Sequence, residues 1–323
     1  MITLTDNDVL RLSYQSLLLT DIPVNIEDSL FSGQSFSWNR LSFKDNFFIS
    51  VINNVPVVIN QINNYFINIY TPDKFIGGIP VSEALSAYFT LDIDNGKLFD
   101  DHFIKRFPAI ATLLQEYMGL KLLRQDPFET TITFMCAQGI GMALIRRQIG
   151  MLCEKYGTPC TIELMGQKHR IFRFPKPEML AETSVLSLQA CTNNNYRRAL
   201  NIRRVAAAAA EGTLDFTISG SQSLSLDRIR AMLCEYDGIG PKIADCIALF
   251  SLGRFDAFPV DTHVRQYLAE WFGIRRASMS LTEKNYLRLQ DEVRTILRPE
   301  VAGYAGHLLF HCWRRKVKHL RTA

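Results

Sequence analysis

The chain has 323 residues, 47% of them hydrophobic and 21% charged, which is enough for two domains with substantial cores in a soluble globular protein. A balance of 36 basic against 32 acidic residues leaves so little net charge that any grip on nucleic acid must come from local patches. Seven cysteines at 136, 153, 160, 191, 234, 246 and 312, with no C-x-x-C pair, exclude a clustered-thiolate zinc or iron–sulfur site and read as buried thiols in a reducing, intracellular compartment.

At the N-terminus, Asp6 and Asp8 and the lack of a basic-then-apolar run argue against a signal peptide. Residues 47–72 carry no charge, but asparagine, glutamine and proline punctuate their short apolar runs. That is the pattern of a sheet and not of a membrane span. Phe47–Val51, Val55–Ile59 and Tyr65–Tyr70 read as strands of an antiparallel meander, with Asn53-Asn54 and Asn63-Asn64 as the turns. Before them, residues 31–38 (FSGQSFSW) read as a glycine-containing strand entry, for which a bulge or a turn is the plain explanation.

From Ser82 onward the apolar spacing becomes helical. Asp126-Pro127 is a cap followed by a first-turn proline and opens a helix that Gly139-Ile140-Gly141 breaks. A further helix runs from Met142 to Tyr156 and ends at Gly157. Residues 158–177 read as a Pro- and Lys-bearing loop, followed by helices over Ala181–Ala190 and the alanine-rich Arg197–Ala210. The expected architecture is α+β: a small antiparallel sheet domain with flanking helices over residues 1–115, then an all-helical domain over 116–323.

The stretch from Met232 to His263 carries the chemistry. Two apolar helical patterns flank a tight Gly238-Ile239-Gly240 turn, so backbone N–H groups there can meet one phosphate. Lys242 falls second in the helix opened by Pro241, where the macrodipole disfavours a cation and favours the free amine. Asp261 is placed to cap a helix over Thr262–Phe272 and to hold a rigid carboxylate. A free amine beside a carboxylate suits covalent attack on an electrophilic carbon. On the residues alone, Lys242 also reads as a solvated surface lysine and Asp261 as a plain cap. His263 reads as a helix residue or a phosphate donor, and Asp245 as a structural hydrogen bonder. Tyr196-Arg197-Arg198 at a helix start suggests stacking and base-edge contact. The tail cations Arg314, Arg315, Lys316, Lys318 and Arg321 read as a solvated charge run.

GIGPKIADC at 238–246 followed by FPVDTH at 258–263 resembles the helix-hairpin-helix and Gly-Pro-rich-Asp loop of the DNA glycosylase superfamily, with lysine in the bifunctional position. SGQSFSW at 32–38, LLRQDPFE at 122–129 and GYAGHLLF at 303–310 are similar to segments of 8-oxoguanine DNA glycosylases. The resemblance implies a TBP-like N-terminal sheet domain fused to a helical glycosylase domain. It also implies a monomer acting on double-stranded DNA that contains oxidised guanine, with no metal and no cofactor. By position, Lys242 is then the nucleophile toward C1′ and Asp261 stabilises the sugar. Gly33 supplies the carbonyl that reads N7, and Phe310 and Cys246 wall the base pocket. Gly238, Gly240 and His263 hold phosphate, and Tyr196 and Arg197 serve as wedge and reader of the opposite cytosine. A carbonyl facing N7 would reject ordinary guanine, because two acceptors would then oppose each other.

Three positions depart from that pattern. Gly139-Ile140-Gly141 stands where an asparagine run contacts the opposite base, Leu144 where an arginine stands, and Gly306 where a glutamine reads the damaged base. Two alternatives therefore stand beside the main expectation. One is the same fold with a shifted lesion or opposite-base preference. The other is a non-catalytic damage-binding module.

Overall fold

The computed structural model describes residues 9–41, 45–219 and 224–319; Asp6, Asp8 and Arg321 lie outside them. The N-terminal part holds β1 (Val9–Arg11), β2 (Tyr14–Leu19), α1 (Ile26–Phe31), β3 (Asn39–Arg40), β4 (Phe47–Ile52), β5 (Val55–Asn63), β6 (Phe66–Thr71), β7 (Phe75–Ile76), β8 (Ile79–Pro80) and α2 (Val81–Tyr88). Strands β2, β6, β5, β4 and β3 lie side by side in that order, antiparallel throughout. The asparagine turns fall where the sequence places them. Asn53 and Asn54 take left-handed φ of 47° and 64°, as a two-residue hairpin requires. Asn63 accepts from the backbone N–H groups of Tyr65 and Phe66 at 2.8 and 3.0 Å.

Helices α3 (Asp101–Arg106) and α4 (Pro108–Leu114) lead to α5 (Pro127–Cys136) and α6 (Met142–Tyr156). Asp126 caps α5 by accepting from the Glu129 N–H at 2.8 Å. Strands β9 (Pro159–Leu164) and β10 (Gln167–Phe172) form a hairpin where the sequence suggested only loop. Cys160, Ile162 and Leu164 alternate inward along β9, and β1 joins its free edge in parallel register, Val9 opposite Thr161. The meander is consequently covered on both faces. Helices α1 and α2 bury Trp38, Ile59, Ile67 and Phe89 on one side, and the hairpin covers Phe47, Ile49 and Val58 on the other. Burial on both faces explains why residues 47–72 lack charge.

The helical part continues with α7 (Pro177–Glu182) and α8 (Val185–Gln189), the expected single helix being split where Ser184 caps a second start. It goes on through α9 (Tyr196–Ala210), α10 (Phe216–Ser219), α11 (Leu226–Cys234), α12 (Pro241–Phe250), α13 (Thr262–Phe272), α14 (Glu283–Val293) and α15 (Ala302–Cys312). One large core joins them, with α12 and α15 at its centre. Asp245, on α12, is fully buried. It accepts from Arg230 Nε at 3.0 Å, Tyr286 Oη at 2.5 Å and Gln290 Nε2 at 2.6 Å, which is the structural role expected of it. Gly157 does not end α6 through a left-handed turn. A Cβ there would lie 1.9 Å from the Arg173 carbonyl oxygen, so close passage of the β10 exit demands the glycine. Among the described residues, no helix is long and apolar enough to cross a membrane.

Candidate active site

A cavity of about 870 Å³ opens where the turn after α1, the N-terminus of α6, helix α12, the cap of α13 and helix α15 converge. Gly33, Lys242, Cys246, Asp261, His263 and Phe310 all line it, so six residues spread over 278 positions of sequence meet in one place.

Each is positioned by local chemistry. Gly240 caps α12, Pro241 takes its first position and Lys242 its second, the placement read from the sequence. Gly238 holds a left-handed φ of 91°, and a Cβ there would press on Asn201 Nδ2 at 2.9 Å and Met135 Cε at 3.1 Å. Glycine is thus required both for the turn and for its packing. Asp261 caps α13, accepting from the Val264 N–H at 2.8 Å. Burial pushes the Cys246 thiol up to about 12, with Lys242 opposing that shift and Asp261 reinforcing it. The lysine and the aspartate therefore bear on the same buried sulfur from within the cavity.

Gly33 sits in a turn after α1 and not in a strand entry. Its φ is 99°, and a Cβ would fall 3.1 Å from Met142 Cε and 3.7 Å from Phe310 Cε1. Neighbours clamp this turn. Gln34 Nε2 donates to the carbonyl oxygens of Ser29 at 2.7 Å and Lys121 at 2.8 Å, and its Oε1 accepts from the Leu123 N–H at 2.9 Å. Trp38 Nε1 donates to Tyr88 Oη at 2.9 Å. These hydrogen bonds fix the backbone at Gly33 against the cavity.

Tyr196 and Arg197 are exposed at the start of α9, where Asn195 caps the helix. They do not line the cavity. Arg198 and Gln138 tie their helix to it: Arg198 Nη2 donates to the Gln138 carbonyl oxygen at 2.6 Å, and Gln138 Nε2 donates to the Gly238 carbonyl oxygen at 2.9 Å. The start of α9, the 138–141 loop and the hairpin turn therefore form one rim.

Two family models match in succession, the 8-oxoguanine DNA glycosylase N-terminal domain over residues 16–131 and the HhH-GPD superfamily base excision DNA repair protein over 132–290. The chain belongs to this superfamily. It is 30% identical over 227 residues to the N-glycosylase/DNA lyase OGG1 of Arabidopsis thaliana, covering 70% of the chain and 60% of the relative. It is 28% identical over 241 residues to the N-glycosylase/DNA lyase of Saccharomyces cerevisiae, covering 69% and 63%. The matched stretch thus spans under two thirds of these curated relatives. The Clostridium acetobutylicum 8-oxoguanine glycosylase/lyase, solved with dsDNA containing cytosine opposite 8-oxoG, superposes with a TM-score of 0.73 at 25% identity, covering 92% of this chain and 93% of that one.

Against that superfamily background, the departures acquire a structural content. At Gly306 a Cβ would lie 2.3 Å from Phe258 Cε2. The phenylalanine ring occupies the place of any side chain at 306, and the wall is apolar there. Gly139, Ile140, Gly141 and Leu144 all line the cavity, so these four positions offer it neither an asparagine amide nor a guanidinium.

Two cavity residues escaped the sequence reading. His307 stacks on Phe310 with centroids 5.7 Å apart and shares a hydrogen bond of 2.8 Å with Ser32 Oγ, the neighbour of Gly33. Burial, with the charges of His311 and Arg314 adding to it, pulls its ring down to about 3, so it is neutral. Its position three residues before Phe310, on the same helical face, is the signal that could have found it. Arg314 is no solvated tail residue. The chain continues α15 as a π-helical turn over Trp313–Val317, which turns Arg314 into the cavity over the Phe310 ring at 5.4 Å. Burial lowers its pKa, and Asp261 counters that shift.

Proposed function

We propose that this protein is a monomeric base-excision repair DNA glycosylase with lyase activity, acting on double-stranded DNA that contains 8-oxoguanine. The observation that carries the reading is the meeting of Lys242 and Asp261 in a cavity walled by Gly33, Cys246 and Phe310. Its volume of about 870 Å³ falls within the usual range of small-ligand pockets, roughly 300–1,000 Å³. The nucleotide leaves the stack and its base enters this cavity, against the ring of Phe310 and the thiol of Cys246, with the Gly33 carbonyl meeting the N7 proton. The Lys242 amine forms a bond to C1′ as the N-glycosidic bond breaks and the base departs with its electron pair. The C1′–O4′ bond then breaks, O4′ takes up a proton as the sugar ring opens, and C1′ is left as a Schiff base with Lys242; this acidifies C2′, and loss of the C2′ proton expels the 3′ phosphate by β-elimination. Asp261, fixed by its cap hydrogen bond, stabilises positive charge on the sugar and on the lysine. The Gly238–Gly240 turn and His263 hold backbone phosphates, and Tyr196 and Arg197 fill the gap and face the orphaned base.

Borohydride trapping on a duplex with 8-oxoguanine opposite cytosine tests this reading. A covalent adduct is expected with the native chain and none with Lys242→Gln; no adduct in the first case, or one in the second, refutes it. The Phe258 ring beside Gly306 and the rim of Gly139, Gly141 and Leu144 favour a second reading, a broader lesion or opposite-base range. Running the same trapping on other oxidised and alkylated purines, opposite each of the four bases, decides it. Strong restriction to 8-oxoguanine opposite cytosine eliminates the broader range.

A further inference from the structure

Behind the base cavity lies a second one, of about 440 Å³, between residues 36–41, α6 and the β9–β10 hairpin. Phe36 lines both. Arg146 enters it from α6, one turn after Met142. Its Nη1 donates to the Trp38 carbonyl oxygen, and its guanidinium lies 4.8 Å from the Phe31 ring centroid and 5.8 Å from that of Phe36. The other edge is different. Nε and Nη2 are both shielded from solvent and meet no hydrogen-bond acceptor.

That edge has a definite chemistry. Nε–H and Nη2–H of a guanidinium lie parallel and point the same way, spaced to meet two oxygens of one anion. No carboxylate of the described residues comes within 4.0 Å of Arg146, although twelve other side chains form such pairs. Around the cavity stand Arg40, which is committed to Glu27, together with Lys168 and Arg170. Glu129 is the acidic member of the lining, and burial pushes its carboxyl up to about 7, against a lowering hydrogen bond from Ser37. Burial and the neighbouring Arg40 draw Arg146 down to about 10, which still leaves it charged at neutral pH. A guanidinium edge shielded from water and left without an acceptor is disfavoured, and no carboxylate within ion-pair distance offsets its charge.

We infer that Arg146 anchors a site for a small oxyanion, a phosphate or a carboxylate, whose two oxygens take Nε–H and Nη2–H while Lys168 and Arg170 close over it. The site is separate from the base cavity but lies behind its wall, because Arg146 is fixed to the carbonyl of Trp38 in the same turn that carries Gly33.

The test is the thermal unfolding midpoint of the full chain at constant ionic strength, as chloride is exchanged for inorganic phosphate in one series and for acetate in another. A saturable rise with one or both anions is expected, and which series gives it identifies the anion. In Arg146→Met the half-saturation point should move at least tenfold upward, and the midpoint without either anion should equal or exceed that of the native chain. Arg146→Lys keeps the charge but lacks the two-pronged edge, so it should lose the saturable rise as well. An equal rise in all three proteins, no rise in any, or an anion-free midpoint lowered in Arg146→Met would each overturn the proposal in favour of a purely structural arginine.

Discussion

Replacing His307 with glutamine tests whether the cavity is as dry around this ring as the structure makes it. The native ring is held near pKa 3 by burial, against an ordinary value of 6.5. Glutamine retains a hydrogen-bonding partner for Ser32 and cannot titrate. As pH falls below about 6.5, the unfolded chain takes up a proton that the folded ring refuses, so stability is lost progressively down to about pH 3. For a shift of this size the loss from this one residue is about 2 kcal/mol between about pH 7.5 and pH 5. Urea unfolding at the two pH values, read as midpoint times slope, should therefore show a fall in the native chain that exceeds the fall in His307→Gln by about that amount. Equal losses in the two proteins would refute the reasoning, because the ring would then titrate in the folded state as it does in water.

Asp261 has two roles that substitution can separate. Asp261→Ala should lose about 1 kcal/mol of stability with the α13 cap, Asp261→Asn should lose only a few tenths because it still accepts from Val264, and both should lose base excision; a thermal melt beside a nicking assay reads the two effects, and full activity in Asp261→Asn would confine the residue to capping. Arg230→Met leaves Asp245 buried with only Tyr286 and Gln290 as partners, and should cost about 3–5 kcal/mol in urea unfolding. A loss under about 1 kcal/mol would show that the Asp245 carboxyl is already neutral in the native chain.

Much of the architecture was legible because local signals agree with tertiary needs. The α12–α13 region could be read to the residue: Gly238 needs its positive φ, Pro241 its first-turn position, and Asp261 its cap. The β9–β10 hairpin was hidden by Pro159 and by the charged Lys168 and Arg170, yet the inward alternation of Cys160, Ile162 and Leu164 was present. Helix α1 was hidden by its brevity, six residues after an Asn25 cap, since so few turns carry no clear period. Arg314 was misread because a charge run at a helix end usually stays in water. Only the π-helical turn over Trp313–Val317 reveals that one member of the run faces inward. The wall at Gly306 was legible as a missing side chain but not as a filled space, because Phe258 reaches it from a different segment.

The parallel pairing of β1 with β9 imposes an order on biosynthesis. The hairpin closes on itself as soon as its own residues emerge, whereas the strand that covers its free edge was made about 150 residues earlier, at Val9–Arg11. That early strand must stay unpaired through nearly half of the chain's synthesis, and closing so long a loop is the slow kind of contact in folding. The three-stranded β1-β9-β10 sheet can therefore close only after the first helices of the helical part have been made, although the five-stranded meander has all its strands by Thr71.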